Sequence, residues 1–241
     1  MKSKILKIVA IVLVCLVFAT SIFFNVVLGM STGFTLSMKN SYEERYRIYD
    51  ITSSKFYLLE DGSGITISST SVNEETKERA EDTYHCKFNK STMVSDCARK
   101  YEVYNESNEL LKAAYFPGDD YQYFVVDGVK GKSFYSNDSL LGVSFYPFYN
   151  FLYQYCAILA SDDQNLNFEV DTNFNFKSFG FDKVITVTYK TPVADKPVTK
   201  YEIFVDENDV INKIILNDSI TMEMEVNTSD ISFSDLESYS N

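Results

Sequence analysis

The chain has 241 residues, of which 45% are hydrophobic and 15% aromatic, a composition typical of a globular protein rather than a disordered one. Its formal net charge of −12 at pH 7 argues against nucleic acid and anionic lipid head groups as partners, because both require basic surface patches. The acidic residues are spread along the chain, which is typical of a soluble surface.

The first predicted element is an uncharged run from Ile8 to Met30 that follows Lys2, Lys4 and Lys7. As a helix this run would be roughly 34 Å long, slightly more than the ~30 Å hydrocarbon core of a bilayer. That length favours an uncleaved signal anchor, since the apolar part of a secretory signal peptide is usually about 7–15 residues long. The lysines predict a cytoplasmic N-terminus. We therefore expect the protein in the cell membrane, with a single N-terminal span and the domain outside the cytoplasm.

Cleavage of the N-terminal segment is the alternative, because Ala19 and Gly29 are small residues of the kind that precede a cleavage site. Residues 1–30 are thus a signal anchor or a signal peptide, and in the second case the protein is secreted. Residues 31–60 are predicted to form a helical or stalk-like connector, and residues 61–241 the extracytoplasmic domain.

From Gly62 onward, short runs alternate apolar and polar residues, and Ile65 and Ile67 give the first example. The alternation recurs in KVITVTY, in KYEIFVD and, most regularly, in SITMEMEVN, where Ile220 to Val226 place every second residue on one face. This periodicity predicts antiparallel strands with one buried and one wet face.

The turn Asp127-Gly128 is of the kind favoured in two-residue β-hairpins. It predicts that Val126 pairs with Val129 and that Phe124 pairs with Gly131, whose bare backbone the Phe ring then covers. Phe124 is therefore expected in the core.

The opposite face of this hairpin contains Tyr121 and Tyr123, the second of which should pair with Lys132. Both tyrosines are expected to face solvent beside the lysines. They are therefore candidate contacts to a partner, since Tyr combines a large apolar ring with a polar tip.

One segment departs from the alternation, because its apolar residues recur at spacings of 3 and 4 and predict a helix over 145–159. This stripe consists of Phe145, Phe148, Leu152, Tyr155 and Leu159. Ser144 is expected to cap the helix, and Pro147 to lie in its first turn, where a missing N–H is harmless. The helix is expected to pack its aromatic face on the sheet.

The outer domain has two cysteines close in sequence, Cys86 and Cys97. In an oxidising compartment they are a possible disulfide that closes the intervening loop, and in a reducing one they are free thiols. The single histidine, His85, precedes Cys86, and adjacent strand residues point to opposite faces, so the pair cannot form a protease dyad. His85 is expected to be half-exposed, and Cys156 to be a buried free thiol.

No catalytic residues, metal site or cofactor motif are predicted, and we do not expect an enzyme. A zinc site is not predicted, because the chain has a single histidine and its cysteines are not spaced as in zinc motifs. The acidic segment DEND at 206–209 fails the calcium-loop template, since Val210 lies near the required Gly and Asn217 replaces the final Glu.

Several segments between Tyr101 and Leu236 resemble the LolA/LppX-like lipoprotein-carrier superfamily. They are YFPGDDYQYFVVDG, the predicted helix, KYEIFVDENDVINKIIL, and the closing MEMEVNTSDISFSDL with its isolated Phe233. The resemblance implies an α+β, mostly β fold. A long curved antiparallel sheet, an incomplete barrel, would pack on the central helix, and the N-terminal membrane helix would precede it.

The resemblance also implies a function, because in that family the space between barrel and helices holds acyl chains. It implies a membrane-tethered extracytoplasmic binding module for a lipid or other apolar small molecule. The lining residues would be Phe145, Phe148, Leu152 and Tyr155. The alternative is an envelope protein that binds another protein or a polysaccharide and holds no small ligand.

Overall fold

The computed structural model of the protein describes residues 42–175, 180–191 and 199–239. The signal anchor or signal peptide predicted for residues 1–30 lies outside these residues. In the part of the chain that the structure describes, every helix is too short or too polar to cross a membrane.

The helices of the described residues lie before, within and after the strands. They are α1 (Tyr42–Tyr57), α2 (Asn137–Tyr149), a π-helix (Asn150–Tyr155), α3 (Cys156–Leu159) and a 3₁₀ turn (Leu236–Ser238). The strands before α2 are β1 (Gly64–Val72), β2 (Arg79–Asn89), β3 (Met93–Tyr104), β4 (Leu110–Phe116), β5 (Tyr121–Val126) and β6 (Val129–Phe134). The strands after α3 are β7 (Leu166–Asn175), β8 (Gly180–Tyr189), β9 (Lys200–Val205), β10 (Ile211–Leu216) and β11 (Ile220–Val226).

The strands form one 11-stranded antiparallel sheet in the order β6-β5-β4-β3-β2-β1-β11-β10-β9-β8-β7. Within β1–β6 and within β7–β11 each strand pairs with its neighbour in sequence, and β1 pairs with β11 to join the two halves. Among the described residues the sheet does not close, since β6 and β7 each have a single partner strand. The prediction of a mostly β fold with a long antiparallel sheet is confirmed.

The inner face of the sheet is built from the residues whose alternation identified the strands. Ile65 and Ile67 of β1 are buried, and Met222 and Met224 of β11 lie on the same side of the sheet. These residues belong to one hydrophobic core that also contains the buried side of the helices.

Both halves of the sheet pack on the same helices. Helix α2 contacts β3 in the first half, and the guanidinium of Arg45 in α1 lies 3.5 Å from the ring centre of Phe168 in β7. A flat sheet of this strand number would be roughly 50 Å wide. The sheet therefore bends around the helical layer.

The central helix begins earlier than predicted, at Asn137, where the backbone N–H donates to a carboxylate oxygen of Asp120 at 2.7 Å. Ser144 is consequently not a cap but a fully buried residue inside the helix. Pro147 lies near the end of α2 rather than in its first turn, and its carbonyl accepts a bond from the N–H of Asn150.

The hairpin β5–β6 has the predicted register, with Val126 opposite Val129 and Phe124 opposite Gly131. A Cβ added at Gly131 would collide with the Phe124 ring, so that ring does cover the glycine. The expectation that Phe124 belongs to the core is wrong, because its side chain is only half-buried beside the edge strand.

Candidate functional site

The helical layer consists of α1 lying antiparallel to the π-helix and α3. Near the start of α1, Arg45 Nη1 donates to the carbonyl of Leu159 at 3.0 Å and to that of Ser161 at 3.1 Å. Near its end, the hydroxyl groups of Tyr57 and Tyr153 are hydrogen-bonded at 2.7 Å. Arg45 thereby satisfies carbonyls at the C-terminus of α3, where a positive charge is also favourable.

The residues predicted to line a ligand space do not all lie together. Phe148, Leu152 and Tyr155 are buried in the core, whereas Phe145 is 39% exposed on the outside of α2. The expectation of an inward-facing Phe145 is wrong because Ser144, one residue earlier, occupies the inner row of this helix.

The π-helix changes which residues face inward. A π-turn holds one more residue than an α-turn, and here both Phe151 and Leu152 are buried, as are both Tyr155 and Cys156. Phe151, which lies outside the predicted stripe, is fully buried among the sheet residues. Such π-segments are frequent at functional sites.

A cleft opens between α1 and the π-helix beside the start of β3. Its walls are Ser53, Phe56, Tyr57, Met93, Leu152 and Tyr153. The cleft has a volume of only about 10 Å³, at the lower limit for one water molecule. In this state the layer between helices and sheet is therefore filled by side chains at the cleft, and an acyl chain would require the walls to separate.

The same helical segment buries two polar atoms without partners. Among the described residues, neither Ser144 Oγ nor Asn150 Oδ1 has a hydrogen-bond partner, and both side chains are more than nine-tenths buried. Unsatisfied buried polar atoms are costly and rare in native proteins. A ligand with a polar end would satisfy them once the layer opened.

Burial and hydrogen bonding hold the ionisable groups of this region neutral. The hydrogen bond to Tyr57, together with burial, raises the pKa of Tyr153 to about 12. Burial raises the pKa of the Cys156 thiol to about 12 and also raises the pKa of Tyr155 above its usual value. These three side chains are therefore uncharged at neutral pH, and the buried charge of the layer lies at the other end of α1, on Arg45.

The outside of the helical layer carries an aromatic row in two parts. The first part is Tyr42, Tyr46 and Tyr49 on α1, and the second is Tyr57, Tyr153, Tyr149 and Phe145, which runs from the end of α1 to α2. Successive ring centres lie 5.6–6.0 Å apart where the rings are in contact. Tyr49, Ser53 and Tyr57 recur every four residues along α1, which places both parts of the row on one side of that helix.

The predicted partner contacts on β5 differ from one another. Tyr121 is exposed, as expected, but Tyr123 is only 6% exposed, and the expectation that it faces solvent is wrong. The C-terminal segment, residues 227–239, covers the outer face of the sheet, where the Tyr239 ring lies 5.8 Å from that of Tyr123. Tyr123 also donates a hydrogen bond to Asp119 at 2.7 Å.

The C-terminal segment also buries His85, which is 2% exposed rather than half-exposed as predicted. His85 Nδ1 lies 3.0 Å from Thr66 Oγ1, and Nε2 lies 3.2 Å from Asp230. The adjacent Cys86 points into the core and forms a disulfide with Cys97. Within the described ranges, no cluster of His, Cys, Asp and Glu could hold a metal ion.

The sequence contained signals for the residues that were overlooked. Phe145, Tyr149 and Tyr153 recur every four residues, which on a helix is a second row beside the predicted stripe. The π-helix itself has no such signal in the sequence. Its extra residue per turn breaks the 3.6-residue period on which the helix prediction depends.

No protein-family model matches the chain, and no curated protein is significantly similar to it. Among solved structures, LprF from Mycobacterium bovis is 7% identical, with a TM-score of 0.34 over 81% of this chain and 97% of that chain. A β-barrel-like protein with a domain of unknown function from Brucella abortus is 8% identical, with a TM-score of 0.23 over 73% of this chain and 100% of that chain. Both matches are weak likenesses in fold only.

Proposed function

We propose that the domain binds an amphiphile, with the apolar chain of the ligand held between the helices and the sheet. The observation that carries this proposal is the cleft between Ser53 and Met93, which leads toward the core and is closed at the surface by Tyr57 and Tyr153. Separation of α1 from the π-helix would admit a chain at this point. The unpartnered atoms of Ser144 and Asn150 favour a ligand that also has a polar end.

The chain of the ligand would contact the aromatic and aliphatic side chains on the buried side of the helical segment. Phe148, Leu152 and Tyr155 retain the role predicted for them, Phe151 joins them, and Phe145 lies instead in the exposed aromatic row. Burial of apolar surface contributes about 25 cal/mol per Å², and this is the driving force that an acyl chain would supply against the cost of separating these groups.

We further propose that the apolar run at residues 8–30 anchors the domain to the cell membrane, outside the cytoplasm. The length of the run and the three preceding lysines support this arrangement. Release of the domain by cleavage would give a secreted protein with the same site.

The test exploits the absence of Trp from the chain. Ser53 lines the cleft, while Ser54, the next residue, faces solvent on the same helix. Ser53→Trp should fill the entrance and abolish binding of a fluorescent polyene fatty acid, whereas Ser54→Trp should bind it as the wild type does. Energy transfer from the new Trp reports binding in the second variant.

Organic extracts of the full chain, purified from its host membranes, give an independent measurement. Mass spectrometry should find an amphiphile with the wild type and Ser54→Trp, and none with Ser53→Trp. Extracts that contain no amphiphile from any variant, together with no binding of the fatty acid, would show that the proposed function is wrong.

A second candidate function is contact with an envelope protein or polysaccharide through the edge hairpin. Its support is the exposed pair Tyr121 and Phe134, whose ring centres are 6.3 Å apart, with Lys132 Nζ 3.8 Å from the Tyr121 ring centre. Tyr121→Ala should abolish capture of such a partner from envelope extracts if this surface binds it. Unchanged capture would eliminate the hairpin as the contact.

A further inference from the structure

The outer surface of α2 and the π-helix is free of charge, whereas α1 beside them exposes Glu43, Asp50 and Lys55. From Ser139 to Ser161 the sequence contains no Asp, Glu, Lys, Arg or His, although 23% of the chain is charged. Val143, Phe145, Tyr146 and Tyr149 are nevertheless exposed there, Tyr146 by 62%. A helix face in contact with water normally carries charged residues. An exposed apolar patch of this kind is typical of a surface that meets an apolar partner.

The patch continues from α2 onto α1 through the aromatic row. Tyr57 and the adjacent Leu58, which is 80% exposed, extend it at one end of α1. Tyr42 and Tyr46, whose rings stack at 6.0 Å, extend it to the start of α1. The entrance of the cleft lies within this surface, because Tyr57 and Tyr153 are members of the row and walls of the cleft.

The start of α1 is near the apolar run in sequence, which limits how far this surface can be from a membrane. The chain between Met30 and Tyr42 spans at most about 40 Å even when fully extended. With the proposed anchor, the aromatic row therefore stays within a short distance of the bilayer. This tether raises the effective concentration of the row at the membrane surface.

We propose that the aromatic row and the uncharged surface of α2 and the π-helix dock on the bilayer that holds the anchor. Tyr and Phe suit the boundary between head groups and acyl chains, because their rings are apolar and the Tyr tip is polar. The net charge of −12 favours zwitterionic over anionic head groups. The inference rests on the proposed function, and it identifies the ligand as a membrane lipid that enters the cleft directly from the bilayer.

The experiment places an environment-sensitive fluorophore at Tyr146→Cys in the full chain, reconstituted in phosphatidylcholine vesicles. The matched control is Glu225→Cys, an exposed position on the outer face of β11. Cys15→Ser in both variants removes the competing thiol of the apolar run, while Cys156 is fully buried and reacts much more slowly than a surface thiol. Phosphatidylcholine with a doxyl quencher on its acyl chain then reports proximity to lipid.

We expect the fluorophore at position 146 to lose most of its fluorescence to the doxyl lipid, and the fluorophore at position 225 to keep it. Equal quenching at both positions, or none at position 146, would overturn the docking and leave the row as a surface for a protein partner. The fatty-acid binding of Ser54→Trp and Ser53→Trp, measured without vesicles, separates the two proposals. Quenching at position 146 without fatty-acid binding by Ser54→Trp retains the docking and rejects the ligand, whereas fatty-acid binding without quenching does the reverse.

Discussion

The hydroxyl groups of Tyr57 and Tyr153 lie 2.7 Å apart and join the end of α1 to the middle of the π-helix. This bond closes the cleft at the surface, while Arg45 fixes the opposite end of the helix pair through the carbonyls of Leu159 and Ser161. The two ends therefore differ in strength, because a hydrogen bond from a buried guanidinium is stronger than one between two hydroxyls near solvent. The Tyr57 end should open first.

Tyr57→Phe is expected to lower the free energy of unfolding by no more than about 1 kcal/mol, since it removes one exposed hydrogen bond. It should nevertheless accelerate reaction of the buried Cys156 with a thiol reagent, because the raised pKa and burial of that thiol allow reaction only when the layer opens. The measurement uses a Cys15→Ser background. Tyr46→Phe, on the same helix, is the control and should leave the rate unchanged; an equal increase with it would show that opening does not depend on Tyr57.

Gly131→Ala should destabilise the edge hairpin, because the added Cβ would collide with the ring of Phe124, which must then leave its position over the glycine. The expected loss in free energy of unfolding is about 1–3 kcal/mol, as for other overpacked sites. Urea unfolding measures it. Addition of Phe124→Ala removes the ring, so the double variant should lose less than the sum of the two single losses. Additive losses would show that the two residues do not interact.

Gly64→Ala tests how the C-terminal segment is held. A Cβ at this position would overlap the carbonyl oxygen of Thr228, a backbone atom that cannot turn aside. We expect the segment to detach from β1 and hydrogen exchange to increase at the N–H of Thr228, which donates to Gly64. Gly142→Ala is the control, because a Cβ there meets nothing within 4 Å, and it should slightly stabilise the helix.

Acid should weaken the link between α1 and the second half of the sheet. Lys183 Nζ lies 2.6 Å from Glu44 and 2.7 Å from Asp209. Burial would raise the pKa of both carboxyls, but hydrogen bonds from Lys183 and Arg47 hold each pKa below its ordinary value of 4.5 for Glu44 and 3.8 for Asp209. Their stabilising contribution is therefore complete above about pH 4.5 and is lost as the pH falls through the lower folded values.

Lys183→Met removes the shared cation and isolates this contribution. The variant should be less stable than the wild type at pH 7, and its stability should fall less steeply below pH 4.5 in urea unfolding. Parallel curves for the two proteins at all pH values would show that Lys183 does not set the acid response.

The strands and the hairpin register could be predicted because each depends on neighbours in sequence. Ile65 and Ile67 are alternate residues of one strand, and Asp127-Gly128 is the turn between two adjacent strands. Both features are present in the structure as predicted. The helix start was not predicted because the N–H of Asn137 donates to Asp120, which lies in the turn between β4 and β5, rather than to a capping serine.

The outer face of the sheet was mispredicted because its cover comes from the other end of the chain. Tyr123 and His85 have the local sequence of exposed strand residues, yet Tyr239 and Asp230 lie over them. The sequence of β5 does indicate that its outer face is covered, because Tyr123 and Val125 point outward while Phe124 points inward. A strand that is apolar on both faces needs packing on both.

The open ends of the sheet have opposite charge. Of the two strands that form the edges of the sheet in the described residues, β6 carries Lys130 and Lys132, and β7 carries Glu169 and Asp171. Two copies of the protein that meet through like edges bring like charges together, which opposes the strand pairing that leads to aggregation. Unlike edges attract, and head-to-tail contact of that kind does not close on itself. The domain is thus protected against sheet-to-sheet dimers, and its remaining liability is linear assembly at low salt, where the attraction is least screened.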